Sequence, residues 1–282
     1  MTNMKEIKSI ELSSFTLSMT GIAVIFSLIF SIAITIGMTL IQFSAITIAI
    51  YLIPTIVVCT LMYSIYNTFM AGFLYNTLGK KLNVIKFELN EEQEIVKIST
   101  TETAIMISII TAIQAILIYL ASMLLVPLFL NSIIQTLLFS GQQILAFTIY
   151  QFAAIITQPT IIAILLFGTF IMTFIFVLIG CFIYNALAKR GRGVKVDLSK
   201  ENEYTAIESI DALKFAIAFG LIAGIINLIL VIISLITGGS IISAIINIVG
   251  GFISGIVEGA LFAIFYNFLA PRLGKIKLEL ID

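Results

Sequence analysis

Histidine and tryptophan are missing altogether, cysteine occurs twice, proline four times, and charged residues fill only 11% of the 282 positions. Without histidine the chain lacks the usual general base, the neutral-pH switch and the commonest metal ligand. Cys59 and Cys181 both fall inside apolar runs, which supports no disulfide framework and no CxxC metal or redox motif. Buried, inert thiols are the simpler reading. No Gly-x-Ser-x-Gly occurs, and the single carboxylate inside an apolar run, Glu258, has no acidic partner with which to form a dyad. No enzyme activity, metal or cofactor is therefore expected. Lys and Arg number 15 and so do Asp and Glu, giving a formal net charge of zero. Neither nucleic acid nor an acidic substrate is suggested as a partner.

What the chain has instead is apolar residues, 60% of the total, against about 45–50% in soluble domains. The composition is that of an integral membrane protein. Every Lys and Arg lies in one of four segments, Lys5 to Lys8, Lys80 to Lys97, Lys189 to Lys214 and Arg272 to Lys277. Between them run residues 12–79, 103–188 and 215–271, uncharged except for Glu258. A spanning helix needs about 20 apolar residues, so each run holds at least two spans. Basic segments stay cytoplasmic, and basic charge flanks each run on both sides, so each run crosses an even number of times. Six spans with both termini in the cytoplasm, in a multi-pass protein of the cell membrane, follow. The N-terminal segment is not expected to be a signal peptide: its charges mix both signs and its apolar run exceeds a signal core.

One stretch occurs three times: Tyr75-Asn76, then Lys80-Lys81, then Ile85-Lys86-Phe87-Glu88-Leu89; Tyr184-Asn185, Lys189-Arg190, Val194-Lys195-Val196-Asp197-Leu198; and Tyr266-Asn267, Arg272, Ile276-Lys277-Leu278-Glu279-Leu280. Repeats of this kind define architecture. Each alternating closing segment reads as a strand with one wet face. Opening segments of strand type precede each run, at Ile7–Leu12, Ile95–Ser99 and Ile207–Asp211. The expected fold is an all-α polytopic membrane protein of six transmembrane helices. They form three pseudo-threefold β–span–span–β repeats, residues 1–91, 92–202 and 203–282, over a small cytoplasmic antiparallel β layer. The two spans of a repeat return the chain to the surface it left, so its opening and closing strands can pair. Whether the three pairs join is left open.

The expected spans cover roughly 15–37, 54–78, 104–126, 159–187, 212–236 and 241–269. Ser13 or Ser14, Thr101 or Thr103, and Asp211 are candidate N-caps. Residues 38–53, with Thr39, Gln42, Ser44 and Thr47, read as a short interfacial or re-entrant turn before Pro54 opens the second span. The third span closes near Pro127. Gln135, Gln142, Gln143, Gln151 and Gln158 then suggest one amphipathic outer interfacial helix over about 131–157. Pro159 opens the fourth span, and Pro271 stops the sixth.

Small residues recur every four positions before the motif tyrosines: Thr60, Ser64, Thr68, Gly72; Thr169, Thr173, Cys181, interrupted by Val177; and Gly251, Gly255, Gly259, Ala263. Such stripes let helices approach closely in lipid. They fit second helices gathered on a central axis, or each stripe packed on its own repeat's first helix.

The order Ile-x-Ser-Ile, glycine-rich span, Tyr-Asn, basic residue and Gly-Lys-Ile-Lys-Leu-Glu-Leu resembles a small two-helix transmembrane family of unknown function from bacteria and archaea. The third repeat carries it best, through Gly251, Gly255, Tyr266, Asn267, Ala270, Gly274 and Leu280. The first two repeats depart in their outer insertions, and the second lacks the glycine stripe. The resemblance implies no activity. It implies that a single-copy relative must oligomerise to build what this chain carries as a fused trimer.

Candidate sites are few. Tyr75, Asn76, Tyr184, Asn185, Tyr266 and Asn267 suit an interfacial aromatic belt with asparagines capping helix ends or bonding the adjacent strand; three equivalent binding sites are the alternative. Asn67 and Glu258 lie eight positions before their motif tyrosines. Glu258 precedes Arg272 by 14 residues, about 21 Å of helix, which puts it within the hydrocarbon core. It is expected to face the protein interior in its neutral form, with Asn67 or Asn227 as hydrogen-bond partner. The partners implied are the bilayer, anionic lipid head groups at the basic clusters, and a cytoplasmic or membrane protein. Two functions remain: a non-enzymatic scaffold or partner subunit whose β layer docks another protein, and a small channel or ion- or proton-coupled transporter using Glu258 and Asn67.

Overall fold

A computed structural model describes residues 3–41, 46–156 and 158–281. In chain order the elements are β1 (Asn3–Ile10), α1 (Leu12–Ile41), α2 (Ile46–Leu78), β2 (Lys86–Leu89), β3 (Glu94–Ile98), α3 (Thr100–Phe139), α4 (Gln143–Ile156), α5 (Pro159–Leu187), β4 (Val194–Glu201), β5 (Tyr204–Ile210), α6 (Ala212–Ile236), α7 (Ile241–Leu273) and β6 (Lys277–Ile281). Six helices are long and apolar enough to cross a membrane: 12–41, 51–78, 100–123, 162–192, 212–236 and 241–273. The chain divides into two compact units, Met1–Met106 with Leu178–Asp282, and Ile107–Val177.

In the first unit the strands form one closed antiparallel barrel in sequence order, β1 through β6 and back to β1. Each opening strand pairs with its closing strand: Lys5 opposes Phe87, Ile95 opposes Val194, and Thr205 opposes Leu278. Hairpins join β2 to β3 and β4 to β5, and β1 closes the ring on β6. The short polar connectors make this possible. Gln93 and Asn202 take left-handed backbone, φ 59° and 57°, which asparagine tolerates better than most residues. The alternation sends Ile7, Phe87, Ile98, Val196, Ile207 and Leu278 inward around an apolar cavity of about 190 Å³. The β layer is thus a barrel with an apolar lumen and a charged outside.

Helix ends differ from expectation in several places. α1 begins at Leu12 and is capped by Glu11, whose Oε2 accepts from Ser14 N–H at 2.7 Å, so Ser13 and Ser14 are not the caps. α3 begins at Thr100, which leaves Ser99 rather than Thr101 or Thr103 in the capping position. Asp211 does cap α6, its Oδ1 accepting from Lys214 N–H at 2.9 Å. The turn expected over 38–53 is mostly helix: α1 runs to Ile41 and α2 starts at Ile46. Gln42 and Ser44 lie outside the described residues, as does the side chain of Thr47. Pro54 therefore sits inside α2, Pro127 inside α3 and Pro271 inside α7. Each proline removes one backbone hydrogen bond, a loss that an apolar membrane helix tolerates. Length and hydropathy carry these helices through positions where a soluble helix would end.

The second unit contains α3 from Ile107 onward, α4, and α5 up to Val177. Residues 131–157 are not one helix. α3 continues to Phe139, the chain turns through Ser140–Gln142, and α4 follows. At 14 residues, α4 falls short of the roughly 20 a span needs. Gln135, Gln142, Gln143, Gln151 and Gln158 are all exposed but belong to different elements. Hydroxyls here bond their own helix, as Ser132 to Leu128 O at 3.0 Å and Thr136 to Ser132 O at 2.9 Å.

Small residues bring helices of the first unit together in pairs. A Cβ on Gly255 would lie 2.7 Å from Ala223 Cβ and 3.0 Å from Gly220 Cα, and one on Gly259 3.1 Å from Ala216 Cα. Gly72 faces Leu12 and Phe15 in the same way. Among the described residues the glycines of the α7 and α2 stripes therefore pack on α6 and α1, the helices that precede them. α1 also meets α7, where the Phe26 and Phe265 rings cross edge to face at 5.2 Å. The main core, with Ile22, Tyr184, Val194, Val196, Ala263, Tyr266 and Leu269, joins helix ends to the barrel.

Candidate functional site

Two places hold polar side chains that packing alone does not require. The first is the junction of helix and barrel. Tyr75 Oη donates to Ile7 O at 2.6 Å and accepts from Ile85 N–H at 3.3 Å. Tyr184 Oη donates to Ile95 O at 2.7 Å and accepts from Val194 N–H at 3.0 Å. Tyr266 Oη donates to Ile207 O at 2.6 Å and accepts from Ile276 N–H at 3.2 Å. One hydroxyl thus bridges the opening and the closing strand at each place. The neighbouring asparagine completes it. Asn76, Asn185 and Asn267 each accept from the N–H and donate to the C=O of one residue, Ile10, Ile98 and Ile210 respectively, all at 2.8 Å. A carboxamide that does both satisfies the last residue of a strand whose backbone has turned away from the sheet. The tyrosines are 3%, 6% and 0% exposed, so their hydroxyls would be costly to leave unpaired.

Between tyrosine and closing strand the chain must reverse sharply. Gly191 at φ 73° and Gly274 at φ 120° occupy backbone that side chains resist. Gly191 belongs to a single π-type turn, Ala188–Arg192, which carries Lys189, Arg190 and Arg192.

The barrel's outer face is laced with ion pairs: Lys8 with Glu279 at 2.5 Å, Lys86 with Glu6 at 2.5 Å, Lys97 with Glu88 at 3.0 Å, and Lys275 and Lys277 with Glu201 at 3.0 and 2.9 Å. Lys275 also holds Glu208 at 2.6 Å. Hydrogen bonds from Lys277 and Lys275 keep Glu201 below the usual carboxylate range; Lys275 and Ser199 do so for Glu208, and Lys8 and Ser9 for Glu279. The same contacts raise Lys8, Lys275 and Lys277. Burial works to raise Glu11, but the hydrogen bonds from Ser14 and Ser13 outweigh it and hold the capping carboxyl low.

The second place is a groove of about 810 Å³ between α1, α2, α6 and α7. Ala23, Phe26, Ser27 and Phe30 of α1 share one helical face there. Ile56 and Thr60 come from α2, Phe215 and Phe219 from α6, and Glu258, Gly259 and Phe262 from α7. The Phe215 ring stacks on Phe262 at 5.4 Å and on Phe219 at 6.1 Å. Ser27 spends its hydroxyl on Val24 O. Glu258 is exposed on the groove wall rather than enclosed, and makes no hydrogen bond or ion pair among the described residues.

No family model, curated protein or solved structure matches this chain.

The residues expected to cooperate with Glu258 are not gathered around it. Asn227 faces Gly251 and donates its Nδ2 to Ala223 O at 2.9 Å; Gly251 is seven residues, about 10 Å of helix, from Glu258. Asn67 is half-buried on α2 and does not line the groove. What sequence reading missed is the phenylalanine wall. Phe26, Phe30, Phe215, Phe219 and Phe262 stand at helical spacing, but in helices apolar on every side that spacing does not tell which face lines the groove. Among the described residues no group of three His, Cys, Asp or Glu side chains could hold a metal ion.

Proposed function

We propose that this protein is a non-enzymatic membrane scaffold or partner subunit, a fixed platform built from three fused β–span–span–β units around a pseudo-threefold axis. Both termini and the barrel lie on the cytoplasmic side, and the barrel's charged outer face receives a cytoplasmic or membrane protein. The basic residues of the π-type turn and the loops sit against anionic lipid head groups. The resemblance to a two-helix family belongs to this reading: a single-copy relative would reach the same assembly by trimerising.

The observation that carries it is the threefold recurrence of the Tyr-Asn contact. Each copy ties a second helix to both strands of its own pair, at residues 68, 89 and 59 apart in sequence. Such fixed ties suit a support more than a moving part, and the barrel lumen is lined almost wholly by apolar side chains. Flux measured on the chain reconstituted in liposomes tests the reading. Ion and proton leak equal to that of empty vesicles is expected. Proton-linked flux abolished by Glu258→Gln would replace it with the second reading, a proton-coupled carrier, which the lone carboxylate in the groove favours. Orientation is checked separately: single cysteines at Lys80, Gly191 and Lys275 should be labelled from the cytoplasm only, and at Gly238 and Gln142 from outside only.

A further inference from the structure

The groove between α1, α2, α6 and α7 combines features that together select a ligand. Its volume, about 810 Å³, is that of a small-molecule site, roughly 300–1,000 Å³. Five of its eleven lining residues are phenylalanines: Phe26, Phe30, Phe215, Phe219 and Phe262. Among the described residues its single ionisable group is Glu258, and that carboxylate has no partner among them. The chain cannot supply a counter-charge from its own spans, because no Lys or Arg occurs within residues 215–271 or 12–79. A carboxylate in apolar surroundings is costly unless something compensates it.

Candidate occupants can be sorted by that chemistry. An anion is repelled by Glu258. A neutral hydrophobe fills the aromatic wall but leaves the carboxylate uncompensated. A bare metal cation asks for several oxygen ligands and would find one carboxylate and the hydroxyls of Ser27 and Thr60, the former already bonded to Val24 O. A cation with an apolar body satisfies both parts: its charge pairs with Glu258, and its body lies against aromatic faces that themselves attract positive charge.

We propose that this groove binds a hydrophobic monocation, an amine or quaternary onium group on an apolar or aromatic body, with Glu258 as its counter-ion and the phenylalanines as its walls. The site is independent of the platform reading, since it uses neither the barrel nor the Tyr-Asn contacts. The same chemistry occurs in the amine head group of a lipid and in a free amphiphilic cation. The depth of Glu258, 14 residues from Arg272 or about 21 Å of helix, favours the free molecule.

The test is equilibrium binding of radiolabelled tetraphenylphosphonium to the full chain in phosphatidylglycerol nanodiscs, which hold no cationic lipid. Saturable binding is expected that is weakened about tenfold or more by Glu258→Gln, equivalent to about 1.4 kcal/mol, and several-fold by Phe262→Ala. Phe174→Ala, which alters an aromatic pair outside the groove, should leave it unchanged. Triphenylphosphine oxide, neutral, and triphenylacetate, anionic, should compete poorly. Competition by added phosphatidylethanolamine would identify a lipid amine as the cation; no such competition would identify a free cation. Equal binding of the neutral compound, or binding insensitive to Glu258→Gln in a variant that melts like the parent, overturns the proposal. Should the variant fail to insert, the ranking of cation, neutral compound and anion on the unaltered chain decides alone.

Discussion

At the helix–barrel junction every motif side chain is spent: each tyrosine hydroxyl serves two backbone partners and each asparagine returns two bonds to one residue. In the groove a few residues away along α7, five aromatic rings line open space and a carboxylate has no partner among the described residues. Both regions draw on the same helix, since Tyr266 and Asn267 follow Glu258 by eight and nine positions. The contrast separates what holds the molecule together from what is left for something else to complete. Where polar groups are saturated, substitution should cost stability; where one is left over, substitution should cost stability little.

The sharpest way to break the contrast is at Tyr266, which is fully buried. Tyr266→Ala removes a core ring and two hydrogen bonds, and a loss of about 3–5 kcal/mol is expected in detergent unfolding followed by circular dichroism. Comparable losses should follow at Tyr75 and Tyr184; if all three were tolerated, the junction would not be the structural element described. Next in size is Asn267→Leu, which leaves the N–H and C=O of Ile210 without their 2.8 Å partners and should cost about 2–4 kcal/mol. Gly255→Leu comes third. It forces a side chain against Ala223 and the Gly220 backbone, and overpacking of this kind costs about 1–3 kcal/mol. Gly250→Ala, with open space beside it, is the matched control. Glu258→Gln should change the melting point least of the span substitutions.

Smallest of all are the barrel's surface ion pairs. Glu201, Glu208 and Glu279 are held below the ordinary carboxylate range, so whatever stability they contribute is present above the unfolded value of 4.5 and is lost as pH falls through the lower folded value. Lys8, Lys275 and Lys277 are raised; their contribution is present below 10.5 and is lost as pH climbs through the higher folded value. Melts between pH 2 and 11 should show shallow losses at both ends, shrinking further in 1 M salt because exposed pairs are screened. A steep acid transition near pH 6 would mean that some other group governs the barrel.

Much of this was legible in the residues. Alternation in Ile85–Leu89, Val194–Leu198 and Ile276–Leu280 marks strands whatever the surroundings, and three long apolar runs bounded by basic residues, charge-free but for Glu258, mark helices of spanning length. Closure of the strand pairs into a ring was not read, although Asn90-Glu91-Glu92-Gln93 and Asn202-Glu203 are short polar connectors of hairpin type. Helix continuity through Pro54 and Pro127 was hidden because proline is a strong breaker only where water offers the backbone another partner. Pairwise packing of the glycine stripe on α6 was one of two arrangements the spacing allowed, and spacing alone cannot choose between them. Least visible was the groove, because helices that are apolar all round carry no mark of which face lines it.

Ring closure of β1 onto β6 also limits how anything can grip this protein. An open sheet invites a partner to extend it by one strand, and it invites copies of itself to do so wrongly. A closed ring withdraws that invitation. A protein that docks on the barrel must therefore read side chains, and the side chains on offer there are mainly charged, lysines and glutamates above all. Its attachment would be quick to form and to release, sensitive to ionic strength, and selective by charge pattern rather than by backbone shape.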